Sequence, residues 1–241
     1  MQNAANAIES ITTAAAATCW SCTAAIDEAA LFCPQCGKIQ PPRGGNFFSV
    51  FGLVPRLNLD LGMLEHQFHK LSRKLHPDRF GRATDQEKEW SLAQSSHLND
   101  AYRTLKNPLT RTWYLLRLHG AEIGEEFAGK DRPQNEMGTS RVPADLLEEV
   151  FELNMQLEEM RMNSKMGEVD EQLQADLKQA EKKFLALQDE VDDELHAQWT
   201  AWDEGDAAAR EAAQKTMVAL LDRRRYLSNL VRDVTEALGA E

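Results

Sequence analysis

The sequence predicts a mainly α protein made of three parts: a small four-cysteine knuckle, a helical hairpin and a C-terminal antiparallel three-helix bundle. All four cysteines fall within eighteen residues, apolar residues recur at steps of three and four over most of the chain, and no proline follows Pro143. Glycine- and proline-rich stretches separate the parts. We place a disordered N-terminus with the cysteine module at 1–45, the hairpin at 46–120, a linker at 121–142 and the bundle at 143–241.

The composition is that of a soluble globular chain, with 42% hydrophobic and 27% charged residues among 241. No run of eighteen apolar residues is present, so we expect no membrane partner. The weakly apolar stretch 12–20 has no basic residue before it, which argues against a signal or transit peptide. We therefore expect a cytoplasmic protein.

Charge is divided unevenly along the chain, whose formal net charge is −12. Residues 46–120 carry 11 basic and 7 acidic side chains, whereas residues 141–241 carry 12 basic and 24 acidic ones. The net acidity argues against a nucleic-acid partner, because phosphates need a basic face. The uneven division indicates two modules that bind different partners.

The cysteines form a C-x2-C-x10-C-x2-C pattern, which is typical of a zinc site that takes two ligands from each hairpin. Pro34 and Gly37 favour the tight turn at the second pair. Four thiolate ligands leave no open coordination position, so we expect a structural metal. Iron suits four thiolates as well, and two disulfides or a redox pair are the other interpretations. The expected ligands are Cys19, Cys22, Cys33 and Cys36.

Two long helices are predicted after a short apolar segment, 47–53. Asp60 is the expected N-cap of the first helix, which Pro77 must end. The second helix runs over 84–106, and Pro108 opens a third. The expected apolar stripe of the first helix is Leu61, Leu64, Phe68, Leu71 and Leu75, and that of the second is Trp90, Ala93, His97, Ala101 and Leu105.

The tripeptide His76-Pro77-Asp78 directly follows a basic amphipathic helix, and we expect it to be exposed in the loop of the hairpin. In this setting the sequence closely resembles the HscB family, the J-domain co-chaperones dedicated to iron–sulfur cluster assembly. Family members with an N-terminal extension also carry a four-cysteine zinc module, which matches the cysteines here. The stretches that carry the resemblance are 66–80, 98–105 and 114–120.

The resemblance covers 18–120 well and 143–241 in pattern. It implies that the loop and the basic helix dock on an ATP-bound DnaK/HscA-type chaperone and stimulate its ATPase. Exposed cations on a rigid helix also favour steering toward an acidic surface. The implied chaperone-binding residues are His76, Pro77, Asp78, Lys70, Arg73, Lys74 and Arg79.

Other interpretations of the middle part remain open from the residues alone. The basic side chains could form an ordinary solvated helix face. His66, His69 and His76 could suggest a metal site, and His76 with Asp78 an acid–base pair. No nucleophile motif or Gly-rich phosphate loop accompanies them, so we expect no enzyme.

The acidic part contains three amphipathic segments, 144–166, 168–204 and 206–238, which predict an antiparallel three-helix bundle. An extended coiled-coil dimer is the alternative. The apolar face of the first segment is broader than a bundle seam requires, so it is either all core or partly a partner site rimmed by glutamates. Its apolar residues are Leu146, Leu147, Val150, Phe151, Leu153, Leu157 and Met160, and the glutamates are Glu148, Glu152 and Glu159.

The resemblance to the HscB family favours the partner site, because that family binds the IscU-type scaffold protein through this bundle. It implies a co-chaperone that delivers the scaffold to the ATPase chaperone. The implied scaffold-binding residues are Leu147, Phe151, Glu152, Met155, Arg225 and Tyr226. A J protein with another client, and a metal-dependent scaffolding protein with an incidental His-Pro-Asp, are the alternatives. The role of the metal module stays open between stabilisation, self-association as a homodimer and docking of a further partner.

Overall fold

The computed structural model describes residues 16–28, 30–123 and 143–239. The predicted disordered N-terminus and all but the first three residues of the predicted linker 121–142 lie outside the described residues. The elements confirm the mainly α prediction, since two three-residue strands accompany long helices. Within the described ranges, no helix is both long and apolar enough to cross a membrane.

The described residues form two compact units. The first contains 16–122 together with Thr200–Glu211, and the second contains 143–199 together with 212–239. The sequence placed the whole of 143–241 in one bundle. In the structure the turn between the last two long helices belongs to the first unit instead.

The first unit begins with the cysteine knuckle. Strand β1 (Ala16–Thr18) pairs antiparallel with β2 (Ala25–Asp27), and Phe32 forms an isolated bridge with Ile39. The small apolar cluster of this segment contains two of the cysteines themselves, packed with Ile26. A segment this short cannot bury a large core, so cross-linking by a metal is the physical alternative.

Four helices complete the first unit, and a side-chain cap fixes where each of them begins; at α1 the cap is Asn46. The Asp60 carboxylate accepts the backbone N–H of Met63 at 2.9 Å, as the sequence predicts. Thr84 and Glu87 form a reciprocal capping box. Asn107 caps the helix that starts at the following proline. The helices are α1 (Phe47–Val50), α2 (Leu61–Leu75), α3 (Asp85–Lys106) and α4 (Pro108–Leu118).

The stripe predicted for α3 is correct in its second half and wrong in its first half. Ala101 and Leu105 are buried as expected, but Ala93 is exposed. Polar side chains take several of the buried positions, and each of them forms at least one hydrogen bond in the interior. Trp90 and His97 are only partly buried. The buried residues of α3 are Glu87, Ser91, Gln94, Leu98, Ala101 and Leu105.

The turn 200–211 joins the first unit through a buried carboxylate. Asp203 accepts the backbone N–H groups of Leu57 and Asn58, each at 2.8 Å, and its carboxylate lies 3.7 Å from the Arg56 guanidinium. Trp202 packs edge-on against His119 at 5.0 Å between ring centroids. These contacts hold residues 56–58, which precede α2, and His119 against residues 202 and 203, which are far away in sequence.

The second unit is the predicted bundle, and its consecutive helices run antiparallel. Ion pairs link Glu149 to Lys183 at 3.0 Å and Asp192 to Arg224 at 2.9 Å. Gly167 ends the first helix in the left-handed conformation, with φ of 74°. A 3-10 turn, Ala144–Leu146, precedes it. The helices are α5 (Leu147–Met166), α6 (Glu171–Glu204) and α7 (Ala207–Ala237), of which the ends nearest the turn belong to the first unit.

Replacing Gly205 with alanine should destabilise the protein by about 1–3 kcal/mol, the usual cost of forcing atoms into occupied space. An added Cβ would overlap the carbonyl oxygen of Ala201 and lie 2.8 Å from the Cβ of Ala209. Urea unfolding followed by circular dichroism measures the change. Gly44→Ala is the matched control, because a Cβ there meets nothing within 4 Å. Equal unfolding midpoints for the two variants would contradict the prediction.

Candidate functional site

The two C-x2-C segments fold into equivalent turns. The carbonyl oxygen of Cys19 accepts the N–H of Thr23 at 3.0 Å, and that of Cys33 accepts the N–H of Gly37 at 2.9 Å. Thr23 and Gly37 follow the second cysteine of each pair and have φ values of 61° and 71°. Glycine adopts this conformation without steric cost, as the sequence predicts. Thr23 does so despite its branched side chain, which the sequence does not reveal.

The four sulfurs lie as a tetrahedral metal site requires. Cys19 Sγ is 3.7 Å from Cys36 Sγ, and Cys22 Sγ is 3.7 Å from Cys33 Sγ. All four ligand atoms lie within 4.8 Å of one another. Sulfurs bound at about 2.3 Å around one zinc ion lie about 3.8 Å apart, so the geometry fits such an ion. All four cysteines carry free thiols, which argues against the disulfide interpretation.

Hydrogen bonds at Cys19 favour its thiolate. Burial opposes ionisation of this thiol, but four hydrogen bonds, one of them from the Cys22 thiol, outweigh burial and lower its pKa to about 6. The other three donors are the backbone N–H groups of Cys22 and Ser21 and the side-chain amide of Gln40. At Cys22 the backbone N–H of Ala24 favours ionisation, yet burial and the neighbouring thiols raise the pKa to about 12. A bound cation would offset this repulsion among the sulfurs.

The predicted loop follows directly where α2 ends. His76 leaves the helical conformation, with ψ of 127°, and Pro77–Phe80 form a 3-10 turn. Within it, His76 Nδ1 accepts the Asp78 backbone N–H at 3.3 Å, and the His76 carbonyl oxygen accepts the Arg79 backbone N–H at 3.0 Å. The side chains of His76, Pro77 and Asp78 are exposed, as predicted.

Two serines of α3 hold the residue before the loop. The carbonyl oxygen of Leu75 accepts hydrogen bonds from Ser91 Oγ at 2.6 Å and Ser95 Oγ at 3.1 Å. A helix end leaves its last carbonyl groups without partners inside the helix, and these hydroxyls supply them. The sequence gives no signal for this role, because serine on an amphipathic helix is normally assigned to the solvent side.

The basic side chains that the sequence assigns to the chaperone surface are all exposed. Lys70, Arg73 and Lys74 lie on α2, and Arg79 lies in the 3-10 turn. The alternative of a histidine metal site gains no support. Among the described residues, the four cysteines are the one group of three or more metal-ligating side chains close enough to share an ion.

The knuckle contacts α3 through an ion pair with a buried acid. Lys38 Nζ lies 2.8 Å from Glu87 Oε1, and the Glu87 side chain is almost fully buried. The hydrogen bond from Lys38, assisted by the Thr84 backbone N–H, lowers the pKa of Glu87 below its usual value although burial opposes this. Glu87 therefore completes the capping box of α3 and binds the knuckle at the same time.

Helix α5 carries apolar side chains on two faces. Leu146, Val150 and Leu153 are buried with Leu157, whereas Met160 is half-buried. The opposite face stays exposed, so the interpretation that all of these residues are core is wrong. We call this exposed face the α5 strip. Its residues and exposed fractions are Leu147 55%, Phe151 69%, Met155 60%, Met162 56% and Met166 64%.

Acidic residues border the α5 strip, as the sequence predicts. Glu148, Glu152 and Glu159 are exposed on the same helix. A groove of about 830 Å³ between α5 and α6 is lined in part by Glu152 and Lys183. Met162 and Met166, which were not predicted as contact residues, extend the apolar surface to the end of α5; their spacing of four residues from each other is the signal that could have identified them.

Arg225 and Tyr226 are partly buried on α7. Arg225 Nη2 pairs with Asp222 at 3.1 Å, and burial raises the pKa of Tyr226. Arg223, two residues earlier, forms a bidentate pair with Asp145 at 3.0 and 2.8 Å. This pair brings that turn of α7 beside the start of α5, although in the described residues no hydrogen bond or ring contact joins Arg225 or Tyr226 to the α5 strip.

This chain is similar in sequence to several known proteins that are described as HscB co-chaperones. No protein-family model matches it. It is 32% identical over 216 residues to the mouse protein "Iron-sulfur cluster co-chaperone protein HscB", with 88% of this chain and 79% of the relative covered. It is 34% identical over 155 residues to a "Co-chaperone protein HscB homolog" of Vibrio vulnificus, with 64% of this chain and 82% of the relative covered.

Two solved structures extend the likeness to three dimensions. The crystal structure of human co-chaperone protein HscB aligns with a TM-score of 0.62 at 28% identity, covering 91% of this chain and 98% of the human one. The chaperone HscB from Vibrio cholerae aligns with a TM-score of 0.54 at 25% identity, covering 80% of this chain and 96% of the other. Given the match to the mouse relative over most of both chains, this protein belongs to the HscB family of co-chaperones.

Proposed function

We propose that this co-chaperone stimulates the ATPase of a DnaK/HscA-type chaperone and delivers an IscU-type scaffold protein to it for iron–sulfur cluster assembly and transfer. In this proposal 46–120 is the J domain and 143–241 the client-binding bundle. The observation that carries the proposal is that one chain exposes both a His-Pro-Asp loop beside basic residues and an apolar strip bordered by glutamates.

The chaperone contact is assigned to the loop and the basic face of α2. The contact residues are His76, Pro77 and Asp78, together with the four cations named above. Internal hydrogen bonds and the two α3 serines fix the loop, so little conformational freedom is lost on docking. Exposed cations raise the rate of encounter with an acidic surface and fix its orientation.

The scaffold contact is assigned to the α5 strip and the adjacent turn of α7. Leu147, Phe151 and Met155 offer apolar side chains in contact with water, and burying them against a partner is favourable. Glu152 at the border, with Arg225 and Tyr226 on α7, would add charged and aromatic contacts that fix the partner's orientation.

The four cysteines are assigned to a structural zinc ion. Four thiolates and no exogenous ligand make a closed tetrahedral site, which holds the two knuckle turns together and performs no chemistry on a substrate. Zinc is favoured over iron because the module needs only a fixed cross-link and no change of oxidation state. The protein itself carries out no covalent step in this proposal.

Changing His76 to glutamine should reduce stimulation of the chaperone ATPase by about tenfold or more, the factor equivalent to about 1.4 kcal/mol of lost contact energy. The fold should be unaffected, because His76 is exposed and a glutamine oxygen can still accept the Asp78 backbone N–H. Single-turnover ATP hydrolysis by a DnaK-type chaperone measures the effect. His196→Gln, at an exposed histidine of α6, is the matched control. Full stimulation by the His76 variant would refute the J-domain assignment.

Changing Phe151 to serine should weaken binding of an IscU-type scaffold by about 30-fold, the factor that an interface hot spot of about 2 kcal/mol supplies. Thermal stability should hardly change, since Phe151 is 69% exposed. Isothermal titration calorimetry measures the affinity. Leu185→Ser is the control, because Leu185 is 45% exposed on α6, outside the α5 strip. If the wild type does not bind the scaffold, the protein serves another client. Equal affinities of the Phe151 and Leu185 variants would show that the scaffold does not bind at the α5 strip.

Elemental analysis of the purified protein should find one zinc ion per chain. Cys36→Ser should lose most of this metal, since three remaining thiolates bind zinc more weakly. Ser21→Ala is the control, because its side chain is not among the grouped ligands. Iron in place of zinc would correct the identity of the metal, and a native protein free of metal would refute the site.

A further inference from the structure

The knuckle and the His76 loop both contact the same two turns of α3. On the knuckle side, Lys38 pairs with Glu87, and Trp20 packs edge-on against Trp90 at 5.5 Å between ring centroids. On the loop side, Ser91 and Ser95 bond to the carbonyl oxygen before His76. Because these α3 residues all lie between 87 and 95, within about two and a half helical turns, a shift of this part of the helix moves both sets of contacts.

A continuous path of hydrogen bonds leads from a candidate metal ligand to α3. The side-chain amide of Gln40 donates to Cys19 Sγ at 3.3 Å. The backbone carbonyl oxygen of the same Gln40 accepts the side-chain amide of Gln94 at 2.6 Å. Gln94 lies between Ser91 and Ser95 on α3. The path therefore begins at the Cys19 sulfur and ends at Gln94, which is next to Ser95 and one helical turn from Ser91, the two serines that hold Leu75.

The two glutamines are costly for the fold alone. Both are buried, and within the described residues neither side-chain carbonyl oxygen has a hydrogen-bond partner. A buried polar atom without a partner destabilises a protein, and an apolar side chain of similar size would avoid this. What an apolar side chain could not supply is the amide donor, which at Gln40 is aimed at the sulfur and at Gln94 toward the knuckle backbone.

We propose that Gln40 and Gln94 are positioning residues that couple the four-cysteine metal site to the His76–Pro77–Asp78 loop through α3. A bound metal orders the Cys19 turn and thereby Gln40, Gln40 anchors Gln94, and α3 then holds Leu75 and the loop. N–H donors to a ligand sulfur orient it for the metal, so the dependence runs in both directions. The consequence for ATPase stimulation rests on the proposed chaperone contact, whereas the coupling itself rests only on the proposed metal at the four cysteines.

The coupling is tested first without any chaperone. Removing the metal with a chelator should speed hydrogen exchange of the backbone amides of Asp78 and Arg79 by about tenfold, within the usual range for coupled sites. Conversely, Ser91→Ala and Gln94→Leu should each shift the equilibrium transfer of zinc to a competing chelator by about tenfold toward the chelator, since coupling between binding equilibria is reciprocal. A purely structural role of Ser91 predicts no change in zinc transfer.

Matched controls lie on the same helix. Ser96→Ala and Gln86→Leu make the same chemical changes at exposed positions of α3 and should transfer zinc to the wild-type extent at equilibrium. Gln94→Leu removes a partnerless oxygen but also takes the donor from the Gln40 backbone carbonyl oxygen, so helical content and unfolding midpoint are measured first and zinc transfer is compared where every variant is folded. Loop amides that are unaffected by metal removal, or zinc transfer that is equal in Ser91→Ala and Ser96→Ala, would overturn the proposal.

The chaperone enters only as a last measurement. If the proposed function is correct, Gln94→Leu should need several-fold more protein than Gln86→Leu for half-maximal ATPase stimulation, because its loop is less well ordered before docking. A wild-type protein that does not stimulate the chaperone would refute the proposed function and leave the exchange and zinc-transfer results standing. Stimulation that is equal in the two variants, with coupling present, would show that the coupling does not reach the chaperone.

Discussion

The buried polar face of α3 is the feature on which most of the first unit depends. Glu87 caps its own helix while it pairs with Lys38, and Ser91 holds the end of α2. Gln94 binds the knuckle backbone from the same face. Each of these groups would be costly to bury alone, and each is tolerated because its hydrogen-bond partner belongs to a different segment. The same contacts that satisfy α3 therefore assemble the unit.

Two helices beside the candidate sites depart from the usual amphipathic pattern, in which apolar side chains face the interior and polar side chains face water. In α3 polar side chains face the interior, whereas in α5 apolar side chains face water. Full burial of such a side chain stabilises a protein by about 1.5–3 kcal/mol, and Phe151, Leu147 and Met155 forgo more than half of it because they are 69%, 55% and 60% exposed. A fold selected for stability alone would do neither. The α5 strip is favourable only once a partner covers it, and the face of α3 only once the knuckle and the loop are in place.

Sequence reasoning succeeds where a short-range rule decides the outcome. Asp60 as a cap, the left-handed Gly37 and the limits of the long helices all follow from local spacing and turn chemistry. It fails where the deciding partner is distant along the chain. Ser91 and Gln94 resemble surface residues until the carbonyl oxygens of Leu75 and Gln40 are known to face them.

The same limitation applies to the turn beyond α6. From the sequence, Asp203 is one of many acidic residues in the C-terminal part. Nothing near it in sequence indicates that it accepts the backbone N–H groups of Leu57 and Asn58. For α5, local pattern shows that too many apolar residues are present for one seam. Which of them stay in water depends on how the helices pack. Leu146 and Leu147 are adjacent in sequence, yet Leu146 is buried and Leu147 is exposed.

A metal-linked knuckle suits the role of supporting α3 better than a short apolar module would. About thirty residues cannot bury enough surface to be rigid by themselves, so a module held only by apolar contacts would fluctuate with the helix it supports. Four ligand bonds to the proposed ion would hold the two cysteine turns rigidly together, and the Gln40 side chain donates to one of the ligand sulfurs. Rigidity then passes outward through directional hydrogen bonds, which fix orientation as well as distance. Since the loop must present the same groups at every encounter, a support that fixes orientation is what the proposed function requires.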